Sequence, residues 1–208
     1  MSNKYNGRIG LVRHGQTFAN VNNVWHGHTD TELTKIGHQQ TKDLGRFFKH
    51  YMQPDVIYTS PLQRARITAE AIGEQFELNV NQDARLMELH LGDWEGESFE
   101  SLKVSRNVLE QLVTDPDFAA PNGESQNQVK KRVVAAIEEI VHKHPDQNVV
   151  IVAHGVTLGI ALSHYIKGDT TFWPEYSKNN TAFSELCLNS KSLLRFNVTE
   201  HLNDEELG

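Results

Sequence analysis

The residue types in this chain that could do chemistry together stand just beyond apolar runs. Arg13 and His14 follow Ile9-Gly10-Leu11-Val12, and Arg64 comes soon after Asp55-Val56-Ile57-Tyr58. His154 follows Val149-Val150-Ile151-Val152-Ala153, and Glu88 follows a third extended stretch. Arginine suits a phosphate or carboxylate because its planar fork donates two parallel hydrogen bonds. A neutral histidine can act as a nucleophile and carry a covalent intermediate. A phosphoryl group in transfer spreads charge over its equatorial oxygens, so clamping and positioning do most of the catalysis. The leaving oxygen then needs a proton, and a carboxyl group such as Glu88 can supply it if its surroundings keep a useful protonated fraction.

These residues meet only if the elements that carry them place them at one edge. The run 149–153 is continuous, β-branched and bounded, as expected of a parallel strand covered on both faces. Further strands are expected at 9–12, 55–58, 79–86, 183–188 and 193–198. Thr34 opens a helix with Leu44, Phe47, Phe48 and Tyr51 on its apolar face. Ser60-Pro61 reads as the start of another, with Ala65, Ala69, Ile72 and Phe76 on one face. Ser125 and Gln128 form a capping box before the face Val129, Val133, Ala136, Ile137 and Ile140, and Pro145 ends that helix. An apolar helix follows His154-Gly155. Strands alternating with helices predict an α/β fold in three layers: a mostly parallel central sheet with helices on both faces and a helical insertion after the third strand. Ligands in such sheets sit beyond the carboxyl ends of the strands, where Arg13, His14, Arg64 and His154 all fall.

Length fits one domain, residues 1–208. The insertion is expected at about residues 97–122, with one helix around Leu102, Leu109, Leu112 and Val113, and a disordered acidic tail at about 201–208. The net charge of -7 argues against a nucleic-acid partner, whose phosphates call for cations. One cysteine, Cys187, permits no internal disulfide and reads as a small core side chain on a strand. With no leader pattern and no apolar run of membrane length, the expectation is a cytoplasmic protein without a membrane partner. His26-Gly27-His28 lacks a cysteine or carboxylate at ligand spacing, so no metal site is expected. His38, His50, His142 and His144 are expected to be solvated, as are Asp93, Glu95, Glu97 and Glu100.

Leu11-Val12-Arg13-His14-Gly15-Gln16-Thr17, with Asn20 after it, resembles the signature of the histidine phosphatase superfamily in its phosphoglycerate mutase-like branch. Ser60-Pro61-Leu62-Gln63-Arg64-Ala65, the stretch Met87 to Gly96, Pro121-Asn122-Gly123-Glu124-Ser125 and Ala153-His154-Gly155 resemble its later motifs, in family order. The resemblance implies a phosphatase of small phosphorylated metabolites that needs no metal and no organic cofactor. It implies that His14 takes the phosphoryl group while Arg13, Arg64 and His154 hold its oxygens, with Asn20 assisting. Glu88 would protonate the leaving group and later activate water. Thr17 and Gly155 lie within these motifs and count as binding positions. His26 and Gly27 match a loop that lines the phosphate site in mutases, although histidine departs from the usual residue there. A bisphosphoglycerate-dependent phosphoglycerate mutase is the alternative activity. The intact set of site residues counts against an inactive relative that only binds phosphorylated partners, and a nucleotide-binding protein would need a Gly-rich phosphate loop that this chain lacks. The sequence names no substrate and sets no oligomeric state. The wall beyond the phosphate is expected from residues 21–28, 97–120 and 170–181, with Trp25, Phe99, Phe118, Phe172 and Trp173 as its apolar candidates.

Overall fold

A computed structural model gives the fold, described for residues 5–203 other than 107 and 178; the side chains of 99, 103, 105, 106, 108 and 109 also lie outside the description. The first elements are β1 (Ile9–Arg13), α1 (Phe18–Val21), α2 (Lys35–Tyr51), β2 (Val56–Thr59), α3 (Gln63–Gly73) and β3 (Val80–Gln82). There follow α4 (Phe99–Arg106), α5 (Val108–Thr114), α6 (Gln126–Lys143), β4 (Val149–Ala153), α7 (Gly155–Lys167) and α8 (Trp173–Tyr176). The chain closes with β5 (Phe183–Cys187) and β6 (Ser192–Val198).

The sheet order is β3-β2-β4-β1-β5-β6. Strands β3, β2, β4 and β1 pair in parallel, whereas β5 runs antiparallel to both of its neighbours. The apolar run 149–153 is β4, near the centre of the sheet and buried at every position. Its side chains alternate between two cores, as the strand period demands. Val149, Ile151 and Ala153 pack with Val129, Val133 and Ile137 of α6 and Ile160 of α7. Val150 and Val152 pack with Leu44 and Phe48 of α2 and Ala65, Ala69 and Ile72 of α3. Each fully buried Val, Ile or Leu contributes roughly 1.5–3 kcal/mol of burial free energy, so the two cores together fix the direction of the central strands.

The capping box at Ser125 forms as expected, and Thr34 caps α2. Several expectations change. Helix α3 starts at Gln63, not at Ser60-Pro61. Ser60 Oγ accepts the Leu62 N–H at 3.3 Å, and the Asp30 carboxylate receives the Gln63 N–H at 2.9 Å, so the cap comes from another part of the chain. Strand β3 is only three residues long because Asp83 caps a 3-10 turn over Ala84–Leu86 and grips Arg85. The insertion holds two helices rather than one. Cys187 is half-buried at the end of β5, not in the core. His144 caps the end of α6 and bonds Tyr58 Oη at 3.1 Å instead of facing water. His201 packs on Phe47 with ring centroids 5.3 Å apart and bonds Thr181 Oγ1, so the expected tail does not begin at 201; residues 204–208 lie outside the described residues. Among the described residues, no helix is long and apolar enough to cross a membrane.

Candidate active site

Strands β1 and β4 are parallel neighbours with Arg13 opposite Ala153, so the next residues, His14 and His154, emerge side by side. Their rings lie 5.2 Å apart. The His14 N–H donates to Ala153 O at 3.0 Å, which fixes the backbone at that point. On the other side of β4, Thr59 of β2 pairs with Val152, and α3 then carries Arg64 to the same rim.

His14 is buried, and its Nδ1 lies 2.8 Å from Gly15 O. A carbonyl only accepts, so Nδ1 carries the proton and Nε2 keeps its lone pair. Burial pushes the His14 pKa well below its usual value, and the positive charges of Arg64 and Arg13 push it further down. The imidazole is therefore neutral near pH 7, the form a nucleophile needs. His154 is fully buried and is likewise held well below the usual range by burial, then by Arg64 and His14. Neither of its ring nitrogens has a hydrogen-bond partner among the described residues.

Arg64 is almost wholly buried. Its terminal nitrogens donate to Gly27 O at 2.7 Å and Thr29 O at 3.1 Å, and Asp30 lies 3.5 Å away. That loop is itself stapled by Glu95, whose carboxylate accepts the N–H groups of Gly27, His28, Thr29 and Leu91 at 2.8–3.1 Å. The expectation of a solvated Glu95 thus fails. Burial opposes ionisation of Glu95, but these amide donors keep its pKa below the ordinary value. Gly27 is required by the crowding: a Cβ would stand 2.2 Å from Leu89 O. At the start of α7, a Cβ on Gly155 would meet Ser177 Oγ at 2.8 Å and the Arg13 Nε at 3.4 Å, so glycine there gives the guanidinium room.

Glu88 is buried against the N-terminus of α7. Its Oε2 accepts the Val156 N–H at 3.1 Å, while Oε1 accepts from Thr157 N at 2.9 Å, Thr157 Oγ1 at 3.0 Å and Leu89 N at 2.9 Å. These donors at the start of α7 fix the orientation of the carboxyl group. Arg132 holds the backbone behind it, donating to Met87 O at 2.7 Å and Glu88 O at 2.9 Å, and pairs with Glu124 at 2.8 Å. His28 Nε2 donates to the same Glu88 O at 2.8 Å.

A cavity of about 560 Å³ opens at this rim. Arg13, His14, Thr17, Asn20, His26, Arg64, Glu88 and Gly155 line it. His154 and Gly27 do not: the first sits behind His14, and the second supports Arg64 from the side. Of the expected apolar wall, Trp25 and Trp173 line the cavity. Phe118 packs on Trp94 with centroids 5.9 Å apart, Phe172 is 40% exposed, and the Phe99 side chain is outside the described residues. Among the described residues, no group of three or more His, Cys, Asp or Glu is placed to hold a metal.

Sequence reasoning missed Asn180, Thr157 and Arg132. Asn180 Nδ2 donates to His14 O at 2.9 Å and to Asn20 Oδ1 at 3.2 Å. Asn20 Oδ1 also accepts from Thr17 N and Thr17 Oγ1, each at 3.0 Å. With its oxygen occupied, the Asn20 amide has N–H groups to offer the cavity. No local pattern marks Asn180; only the pairing of β5 with β1 brings it there. Thr181 beside it adopts φ 53°, an uncommon conformation for a β-branched residue, and its N–H bonds Arg13 O at 3.0 Å.

The chain matches the histidine phosphatase superfamily (branch 1) over residues 9–199. It is 33% identical over 176 residues to a glucosyl-3-phosphoglycerate phosphatase of Mycobacterium tuberculosis, covering 80% of this chain and 78% of the other. It is 34% identical over 158 residues to a "Probable phosphoglycerate mutase" of Klebsiella pneumoniae, covering 75% and 73%. A solved mycobacterial glucosyl-3-phosphoglycerate phosphatase in complex with VO3 superposes with a TM-score of 0.82 at 30% identity, over 93% of this chain and all of that one.

Proposed function

The chain belongs to the histidine phosphatase superfamily, branch 1, and is a phosphatase of that superfamily; from this premise we propose that it hydrolyses small phosphomonoesters without a metal ion, through a phosphohistidine on His14. The observation that carries the reading is the fixed tautomer of a buried, neutral His14 between two guanidinium groups. In this mechanism Arg13 and Arg64 neutralise the phosphoryl oxygens, and Asn20 adds N–H donors. His14 Nε2 attacks phosphorus while the bond to the ester oxygen breaks. Glu88 delivers a proton to that oxygen, and the alcohol leaves. Glu88 then takes a proton from water, the water oxygen bonds to phosphorus, and the bond to Nε2 breaks. Phosphate is released, and His14 and Glu88 return to their starting states. His154, whose ring lies 5.2 Å from that of His14, packs against the nucleophile and limits where its ring can sit. Solution in the cytoplasm is part of the proposal.

Brief incubation with labelled substrate tests it. An acid-labile, base-stable phosphoryl group is expected on the wild-type protein and not on His14→Ala, whose turnover should fall by about 10³-fold or more. Exhaustive chelation should leave the wild-type rate unchanged. Near-normal turnover of the variant, or a loss on chelation restored by a divalent ion, refutes the mechanism.

A further inference from the structure

The phosphoryl group uses only part of the cavity. Its volume of about 560 Å³ falls in the range of about 300–1,000 Å³ typical of clefts that enclose whole small molecules. Besides the phosphoryl end, the lining has an apolar stretch of Val24, Trp25, Val113, Trp173 and Pro174, and the uncharged polar side chains of Asn23, Thr31 and Ser177 together with His26. This wall is built in place. Val24 bridges to Ser98, Trp25 N–H donates to Glu97 O at 3.1 Å, and Gly96 N–H donates to Trp25 O at 3.2 Å. Trp173 is 6% exposed and its indole nitrogen is buried, so the part of the ring that faces the cavity is carbon.

The charged groups among the described lining residues are Arg13, Arg64 and Glu88, all committed to the phosphoryl end under the proposed mechanism. Both terminal nitrogens of Arg64 also hold loop carbonyls. A second anionic group on the substrate would therefore leave water for a wall that, among the described residues, offers apolar surface and uncharged polar groups but no further fixed cation, which is costly for a carboxylate. An uncharged ring or chain would gain from the same burial. We propose that the substrate is the phosphomonoester of an uncharged, largely apolar alcohol or phenol rather than of a hydroxy acid, and that Trp25, Val113 and Trp173 set this preference. The inference rests on the phosphatase reading and narrows it.

A matched pair of substrates separates the two. 4-Propylphenyl phosphate and 3-(4-phosphonooxyphenyl)propanoate share ring, size and a similar leaving group, and differ in the terminal carboxylate. The full chain should favour the uncharged tail in kcat/KM by about tenfold or more. Val113→Arg, at a half-buried wall position, should move the ratio toward the carboxylate compound by about tenfold. If that variant fails to fold, Trp25→Ala should narrow the ratio by slowing the propyl compound more than the carboxylate compound. An equal or inverted ratio in the wild-type chain overturns the substrate class while leaving the phosphatase intact. Hydrolysis of neither compound overturns the phosphatase reading, and the substrate class falls with it.

Discussion

His14, His154 and His201 share one physical condition: each is buried enough that the charged imidazole is disfavoured. For His14 this keeps free of a proton the nitrogen that attacks phosphorus in the proposed mechanism, but it makes the fold acid-sensitive. His201 shows the size of the effect because its pKa is lowered from 6.5 to about 4, chiefly by burial. The unfolded chain binds a proton at this residue below pH 6.5 and the folded chain does not until about pH 4. Stability is therefore fully present above pH 6.5 and is lost as pH falls toward 4; His201 alone accounts for a loss on the order of 3 kcal/mol across that window. By pH 5 the expected loss is about 2 kcal/mol. His201→Gln keeps a donor for Thr181 without a titrating ring. The variant should lose about 2 kcal/mol less than wild type between pH 7.5 and pH 5 in denaturant unfolding. Identical losses would show that folded His201 takes up its proton as readily as the unfolded residue does.

At the scale of elements, the loop 27–29 is the piece that most depends on a single side chain. Glu95 ties three of its N–H groups to Leu91, and the loop carbonyls in turn hold Arg64. Glu95→Gln can keep one acceptor and must lose the rest. Because small misplacements of a positioning group are expensive, kcat/KM should fall by about 10–100-fold with far-UV circular dichroism unchanged. Activity within twofold of wild type (about 0.4 kcal/mol) would mean that Arg64 is held by other contacts. The sequence made the strands, the long helices and the strand-end site legible, because burial periods and caps are local signals and parallel strands point their ends one way. Glu95 was unreadable for the opposite reason. In sequence it is one acid among several, and three of its four partners, Gly27, His28 and Thr29, lie more than sixty residues away, so its role exists only after folding. The start of α3 was misplaced similarly, since Asp30 caps it from 33 residues away; the length of β3 was missed for a different reason, because the Asp83 cap on Arg85 is a local signal set inside an extended-looking run. Asn180 belongs to the same class as Asp30.

The whole molecule bears on how long a phosphorylated intermediate is kept. A mutase must retain a doubly phosphorylated species until it turns over, which demands cations beyond those that bind one phosphoryl group, and closure against water. This chain carries a net charge of -7. From Glu88 to Ser125 it has nine acidic residues and two basic ones, Lys103 and Arg106. Among the described residues lining the cavity, only Arg13 and Arg64 bear a fixed positive charge. Not all of the acids in that segment act on the cavity: Glu95 and Glu124 are spent on backbone amides and Arg132, and Asp93 is exposed. Among the described lining residues a second phosphate finds no fixed cation beyond the two that hold the first, and two phosphoryl groups a few ångströms apart in a half-buried site repel by on the order of a few kcal/mol. A release faster by one to two orders of magnitude follows from about 1.4–2.7 kcal/mol of that cost. Supplied with 3-phosphoglycerate and a trace of bisphosphoglycerate, the protein should free inorganic phosphate faster than it forms 2-phosphoglycerate. Both products can be followed in one reaction by phosphorus NMR, and the apolar wall argues that the total rate on this substrate will be low. Isomerisation outrunning phosphate release would mean that the cavity holds the second phosphate after all, and would make transfer rather than hydrolysis the main activity of the site.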